Sequence, residues 1–368
     1  VGEALKQRNG QTELLFLGSD RGLERDTIGK AGYRLEEFPL QGLPRGLNVA
    51  SLRAAISMWG AYRRMKKLMT EFRPDVVLGT GGYVTVPAAL AAASSRVPLV
   101  LQEQNSIPGR ANRFLSRFAS EIHIHFTESR RYFKDRGKLR LSGNPVRVRI
   151  PEGRAHRTMQ KYRLHSDRRT VLFLGGSQGA HSINVAFKDM LPRFRNDRTV
   201  QFVIQTGKND YRTVLEGVRD SGARVVVKSY IDQIEELYGV SDLVVARAGA
   251  MTLSEISACG LPSILVPYPF AMDDHQTANA MALAEKGAAV LLPDHEITGE
   301  RLATEIRELL ADPSRLKEMG MYAFALSRPE AARRIAEAIE RLGGGAPEAV
   351  LNAPEHYDVE DSETEVGN

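Results

Sequence analysis

Short apolar runs alternate along this chain with longer stretches whose apolar positions recur every three or four residues. The first half offers "ELLFLG" (13–18), "PDVVLG" (74–79), "PLVLQEQ" (98–104), "EIHIHF" (121–126) and "LRLSGN" (139–144). The second half offers "TVLFLGG" (170–176), "VQFVIQTG" (200–207), "ARVVVKSY" (223–230), "SDLVVARAG" (241–249), "PSILVPYP" (262–269) and "AAVLLP" (288–293). Runs rich in Val and Leu, without polar alternation, predict strands buried on both faces; the stretches between them predict helical crossovers. The fold class is therefore α/β, with two doubly wound, Rossmann-like domains of parallel sheet. The pattern breaks in the charged stretch 150–168, which places the first domain at 1–150 and the second from 151. Ligands of such sheets sit outside the C-terminal ends of the strands, so the cleft between the domains is the expected site. The opening "VGEALKQRNG" predicts a short helix with apolar Val1, Ala4 and Leu5, closed by Asn9-Gly10. A strand follows this helix and none precedes it, so a βαβ unit is entered halfway. The expectation is a first domain without its first strand and the loop after it.

Charge changes the picture at one end. The chain of 368 residues carries +5, yet residues 346–368 hold seven acids and no Lys or Arg, leaving +12 on the body. A basic body predicts an anionic partner, and the aperiodic acidic segment predicts a disordered tail. The single cysteine, Cys259, excludes a disulfide framework and reads as a small core residue. No apolar run approaches the roughly 18–20 residues that a membrane span requires.

Each domain places glycines at a strand end: "GTGGY" (Gly79 to Tyr83) in the first and "GGSQGA" (Gly175 to Ala180) in the second. Glycines there let backbone amides approach a phosphate, although tight strand–helix turns need them in any case. "VVARAGAMTLSE" (244–255) is a strand, a turn of small residues and a helix start, again suited to an anion. Glu255 then falls one turn into the helix. It is placed to accept from the vicinal hydroxyls of a ribose, though an acid complementing the helix dipole fits the spacing slightly better. "DDHQTANA" gathers Asp273, Asp274, His275, Gln276 and Asn279, a set suited to hydroxyl-rich ligands. Three consecutive residues rarely converge on one ion, so a metal is not expected there. His123 and His125 alternate on a strand as structural residues, and His181 faces the cleft after the second glycine turn. His156, His165, His295 and His356 stand in polar, solvated surroundings.

Taken together, "VVLGTGGYVTVPAALAA", "LQEQNSIPGRANRFL", "SGNPVR", "LGGSQGAHSIN", "YIDQIEELYGVSDLVVARAGAMTLSEISACGLPSILVPYP" and "DDHQTANA" resemble the MurG family of bacterial N-acetylglucosaminyltransferases. The resemblance runs in order over 1–342. It implies a GT-B fold with a UDP-GlcNAc donor domain at 151–326 and a C-terminal helix, 327–345, returning to the acceptor domain. It also implies inverting transfer of GlcNAc to the muramoyl 4-hydroxyl of lipid I, giving lipid II for peptidoglycan synthesis and cell division, with no cofactor or metal. By motif, Ser177 contacts the diphosphate, Ile231 lies by the uracil, and Arg147 reaches the nucleotide from the cleft. Ala250, Met251, Thr252, Leu253, Ser254 and Glu255 form the helix start at diphosphate and ribose. Gln276 reads the transferred sugar, and Asn105 approaches from the acceptor side. Gly79, Thr80, Gly81, Gly82 and Tyr83 are then left for the acceptor's diphosphate.

Two departures stand out: Gln102 replaces the family's His in "HEQN", and the first glycine loop, "GGTGGH", with the His usually assigned as base, is absent. The catalytic base is left unassigned, with Glu103 and His181 the candidates among the residues present. A lipid acceptor also demands contact with the bilayer. Residues 45–70 carry six basic residues and no acid. Leu52, Arg53, Ile56, Trp59, Arg63, Arg64, Lys66 and Lys67 are the expected face toward an anionic membrane surface, against the plainer reading of an ordinary domain helix. The implied location is peripheral, on the cytoplasmic face of the plasma membrane, with cell-wall synthesis or division proteins as further partners. Two other readings stand beside transfer to lipid I: a UDP-sugar-binding protein with little turnover for want of the loop, and a diacylglycerol glycosyltransferase. Sparse aromatics in the basic segments argue against nucleic acid.

Overall fold

A computed structural model of the chain describes residues 1–20, 28–40, 49–147, 153, 155–176 and 179–344, with side chains from Arg53 onward in the helix that begins at Val49. The acidic segment 346–368 and Ser177 lie outside the described residues, as does the side chain of Leu52.

Every apolar run of the sequence carries a strand. In the first half these are β1 (Leu15–Ser19), β3 (Val77–Gly79), β4 (Leu99–Glu103), β5 (Glu121–Ile124) and β6 (Leu139–Leu141). The pattern missed β2 (Arg34–Phe38), "RLEEF", which buries only Phe38 and pairs with β1 alone. The first half holds two parallel sheets, not one: β1–β2, and the four-stranded β3-β4-β5-β6. Packing unites them. The long helix Val49–Phe72 lays Ala61, Met65, Leu68 and Met69 against Phe38 and Leu40 on one side and Ala88 and Ala91 on the other.

The second half is one six-stranded parallel sheet of order β12-β11-β10-β7-β8-β9. Its strands are β7 (Arg169–Leu174), β8 (Val200–Gln205), β9 (Val225–Lys228), β10 (Leu243–Ala246), β11 (Ser263–Leu265) and β12 (Ala289–Leu291). Helices cover both faces, so Val171, Leu172 and Phe173 of β7 are all fully buried, as expected of a central parallel strand. Phe173, Phe187 and Phe202 meet edge to face in the core on one side. The strand order reverses between β7 and β10, the crevice where such sheets bind ligands.

The last described helix, Ala331–Leu342, packs on the first, Gly2–Arg8. Arg8 pairs with Glu337 at 3.3 Å and Glu340 at 2.9 Å, and Arg341 reaches Glu121 of β5 at 2.9 Å.

Candidate active site

Two turns flank the crevice of the second sheet. Gly175 and Gly176 leave β7, with Gly179 and Ala180 ahead of the next helix, and Arg247 to Gly249 leaves β10 beside them. Gly179 has φ +82°, and a Cβ there would stand 2.2 Å from the Thr206 carbonyl oxygen, so only glycine fits. Gln205 ties this turn to Ile231: its Nε2 donates to the Gly176 carbonyl at 3.0 Å, and its Oε1 accepts from the Ile231 amide at 2.9 Å. Sequence reasoning passed over Gln205, although a glutamine closing an apolar strand was a signal.

The helix Ala250–Ala258 starts at Gly249, and no side chain caps it. The first amides of a helix have no partner within it, so Ala250, Met251 and Thr252 present donors to the crevice. Leu253 is buried behind them. Glu255 lies one turn in, half-buried, with its Oε2 accepting from the Tyr238 hydroxyl at 2.9 Å. Burial raises the Glu255 carboxyl above its ordinary range, and the Tyr238 hydrogen bond opposes that rise. Burial likewise pushes the Cys259 thiol up to about 12, in keeping with an inert core residue. His181 opens the helix Gly-turn side at His181–Met190, largely exposed, with Nδ1 3.1 Å from Asp210. Burial raises the Asp210 carboxyl, but hydrogen bonds from Asn184 and His181 outweigh it and leave its pKa lowered.

From the first sheet, Gly79 ends β3 where a Cβ would press to 2.6 Å from Thr85. Gly81 and Gly82 adopt φ +89° and +80°, Thr80 accepts from Gln104 Nε2 at 3.0 Å, and Tyr83 stands exposed. Glu103, at the end of β4, is buried and accepts four hydrogen bonds: from the Asn105 amide (3.0 Å) and Nδ2 (3.4 Å), the Gly109 amide (3.1 Å) and Asn112 Nδ2 (2.8 Å). Its carboxylate is engaged in shaping the loop rather than open to a substrate proton. Gln102, where the family has His, donates to Asn144 Oδ1 at 2.7 Å.

A polar seam joins the two domains at this point. Asn144 Nδ2 donates to Ser254 Oγ at 2.9 Å and to the Gln104 carbonyl at 3.2 Å. Asn279 accepts from the Ser106 amide at 2.8 Å and hydroxyl at 2.9 Å, and donates to Asn105 Oδ1 at 3.1 Å. His125 lies within the seam: its Nδ1 accepts from the Asn144 amide at 3.3 Å, which leaves the proton on Nε2 to meet Ser254 Oγ at 3.2 Å. Burial, then Arg328, lowers its pKa to about 4, so the ring is neutral near pH 7. Phe126 adds an apolar contact with Ala248, Ala250 and Leu253. The sequence assigned His125 to structure only and left Asn144 and Ser106 without a role.

Gln276 Oε1 accepts from the Tyr268 amide at 2.9 Å, on the loop that exposes Phe270 and Met272 at the cleft. The neighbouring trio goes three ways: Asp273 to Arg110 at 3.1 Å and Arg113 at 3.5 Å, Asp274 to Thr277 at 2.7 Å, and His275 to the Met272 carbonyl at 2.7 Å. Arg147 pairs with Glu3 at 2.8 Å. On the helix Val49–Phe72, Arg53, Ile56, Trp59, Arg63 and Lys67 form an exposed stripe. Arg64 and Lys66 are engaged by neighbouring segments instead: Arg64, still exposed, binds Glu36 at 2.7 Å and lies over the Phe38 ring, and Lys66 binds Ser95 Oγ at 3.2 Å. Among the described residues, no helix is long and apolar enough to cross a membrane.

The sequence matches the glycosyltransferase family 28 N-terminal domain over residues 1–124 and the glycosyltransferase family 28 C-terminal domain over 170–336. The UDP-N-acetylglucosamine--N-acetylmuramyl-(pentapeptide) pyrophosphoryl-undecaprenol N-acetylglucosamine transferase of Desulforamulus reducens is 37% identical over 348 residues, 93% of this chain and 94% of that protein. Its namesake in Geobacter metallireducens is 40% identical over 338 residues, 92% of each. Acinetobacter baumannii MurG superposes with a TM-score of 0.72 at 25% identity, over 92% of this chain and 95% of that one. The Neisseria meningitidis UDP-GlcNAc 2-epimerase bound to UDP-GlcNAc shares the fold, with a TM-score of 0.66 at 14% identity over 92% of this chain and 94% of that one.

Proposed function

The chain belongs to glycosyltransferase family 28, and we propose from that premise that it moves GlcNAc from UDP-GlcNAc to the 4-hydroxyl of the muramoyl sugar in lipid I, giving lipid II and UDP. The observation that carries this reading in the fold is the uncapped helix at Gly249, with Glu255 one turn in and Asn105 held across the seam by Asn279. In this reading, the bond from the sugar's C1 to the UDP oxygen breaks as the bond from C1 to the acceptor's 4-oxygen forms, the electron pair leaves with UDP, and the hydroxyl proton passes to water. Amides of Ala250, Met251 and Thr252, with the Gly175–Ala180 turn, stabilise the charge gathering on UDP. Glu255 accepts from the ribose hydroxyls, its second oxygen being held by Tyr238. Gln276 offers its amide nitrogen to the sugar while its oxygen is fixed by Tyr268. Ile231 lies by the uracil, and Gly79 to Tyr83 take the acceptor's diphosphate. Glu103 is a positioning residue, holding the Asn105 loop.

The same reading places the chain on an anionic leaflet, at the cytoplasmic face of the plasma membrane, through Arg53, Ile56, Trp59, Arg63 and Lys67. Incubation with UDP-GlcNAc and lipid I, with chromatography of both products, tests the proposal. Lipid II and UDP should appear in equal amounts, and diacylglycerol should yield no glycolipid. Donor binding with no product from lipid I would overturn transfer in favour of a binding protein.

A further inference from the structure

A cavity of about 890 Å³ runs along β9, an edge strand of the second domain's sheet. Arg168 borders it just before β7 begins, whereas the donor turn leaves the other end of that strand. Six strand residues at about 3.3 Å each separate Arg168 from that turn by roughly 20 Å, while Lys228, at the far end of the cavity, closes β9 in register with Gln205. Its walls carry six cations: Lys161, Arg163, Arg168, Arg198, Arg224 and Lys228. Three of these come from the charged stretch 150–168 that the sequence marked only as a domain break.

Counter-charge is scarce there. Lys161 pairs with Glu236 at 2.5 Å, and among the described residues no carboxylate lies within ion-pair distance of the other five. Asp197, also in the wall, spends an oxygen on the Thr199 amide at 2.8 Å and hydroxyl at 2.7 Å. The Nε atoms of Arg168 and Arg224 are buried without a hydrogen-bond partner. One carbonyl holds each guanidinium: that of Asp197, 3.5 Å from Arg168 Nη1, and that of Arg163, bonded by Arg224 Nη2. Converging like charges repel, and a concave wall concentrates their field. Guanidinium groups match phosphoryl oxygens in pairs, and the volume suits a small molecule rather than a flat surface.

We propose that this cavity binds a compact polyanion bearing two or more phosphoryl groups, at a site separate from the donor's. Inorganic triphosphate is the probe, titrated calorimetrically into the full chain at about 0.15 M salt with UDP saturating, so that the donor site is occupied. The parent should bind it. Arg168→Gln with Arg224→Gln should weaken that binding at least tenfold. Arg163→Gln with Arg198→Gln, at exposed positions that leave the packing intact, should do the same, with UDP affinity unchanged in both. A nucleoside triphosphate in place of the probe separates a nucleotide ligand from a free polyphosphate. Loss of triphosphate binding under saturating UDP, or parental affinity in the exposed double variant, would overturn the proposal.

Discussion

Asn144→Asp replaces one nitrogen by oxygen at the centre of the seam and leaves the side chain's size unchanged. Asn144 is 1% exposed. Its Nδ2 faces acceptors only: Ser254 Oγ at 2.9 Å, the Gln104 carbonyl at 3.2 Å and the Ala250 carbonyl at 3.5 Å. As a carboxylate, the new oxygen could be satisfied only if Ser254 turned its proton away from the Ala250 carbonyl, which it now bonds at 2.8 Å. About two hydrogen bonds are lost, near 1 kcal/mol each, and a buried carboxylate is left without a cation. The cost should be about 3–5 kcal/mol, larger than the roughly 2–3 kcal/mol expected for Asn144→Ala, which leaves a small void but no charge. Urea unfolding of parent and both variants measures this. UDP affinity should change little, because the donor-side turns are built within the second domain, while transfer to lipid I should fall sharply. An Asn144→Asp variant within about 0.5 kcal/mol of the parent would refute the reasoning, whatever its activity.

Glu255→Ala should weaken UDP and UDP-GlcNAc alike by about 2–4 kcal/mol, if two charge-assisted bonds to the ribose are lost. Gln276→Ala should weaken only the sugar nucleotide, and equal losses for both ligands in calorimetry would remove Gln276 from the sugar. Arg53→Gln, Arg63→Gln and Lys67→Gln together should abolish most salt-sensitive co-sedimentation with anionic vesicles, whereas Arg64→Gln, bound to Glu36, should chiefly lower stability. Burial first, outweighing the pull of Glu121, lowers the His123 pKa to about 4. A depressed folded pKa contributes stability above the unfolded value near 6.5 that is lost as pH falls toward 4, up to about 3 kcal/mol. Denaturant midpoints of the parent should therefore fall faster across this window than those of His123→Asn; parallel curves would exclude the assignment.

Most of the fold was legible because buried parallel strands announce themselves as unbroken apolar runs. β2 was not, since "RLEEF" buries one residue fully and holds two half-buried acids, with Glu36 serving Arg34 and Arg64. The division of the first half into two sheets was invisible too, because strand order leaves no mark on composition. In the site, the glycine turns and the uncapped helix start with Glu255 could be read from spacing, being local. The seam could not: Ser106 and Asn279 are 173 positions apart, and Asn144 and Ser254 are 110 apart. The basic stretch 45–70 showed the opposite limit. Its charges were evident, but only the fold decides that Arg64 and Lys66 serve neighbouring segments while Arg53, Arg63 and Lys67 face outward.

The seam explains how two separately folded domains can present one site. An apolar contact would tolerate sliding, because burial is non-directional. Here the hydrogen-bond inventory closes in one register. Asn144 gives its backbone proton to His125, one side-chain amide proton to Gln104 in its own domain and one across to Ser254, and His125 gives its remaining proton to Ser254. Ser254 in turn passes its own to the Ala250 carbonyl, in the first turn of the helix proposed to face the donor. Shifting either domain by a fraction of a bond length breaks several of these at once. The individual bonds are nonetheless weak in net terms, about 1 kcal/mol each, because water replaces them when the seam opens. Such an interface fixes the closed geometry sharply and still costs little to open. That combination suits the proposed division of labour, in which one domain holds the donor, the other the acceptor, and the cleft must align them and then release both products.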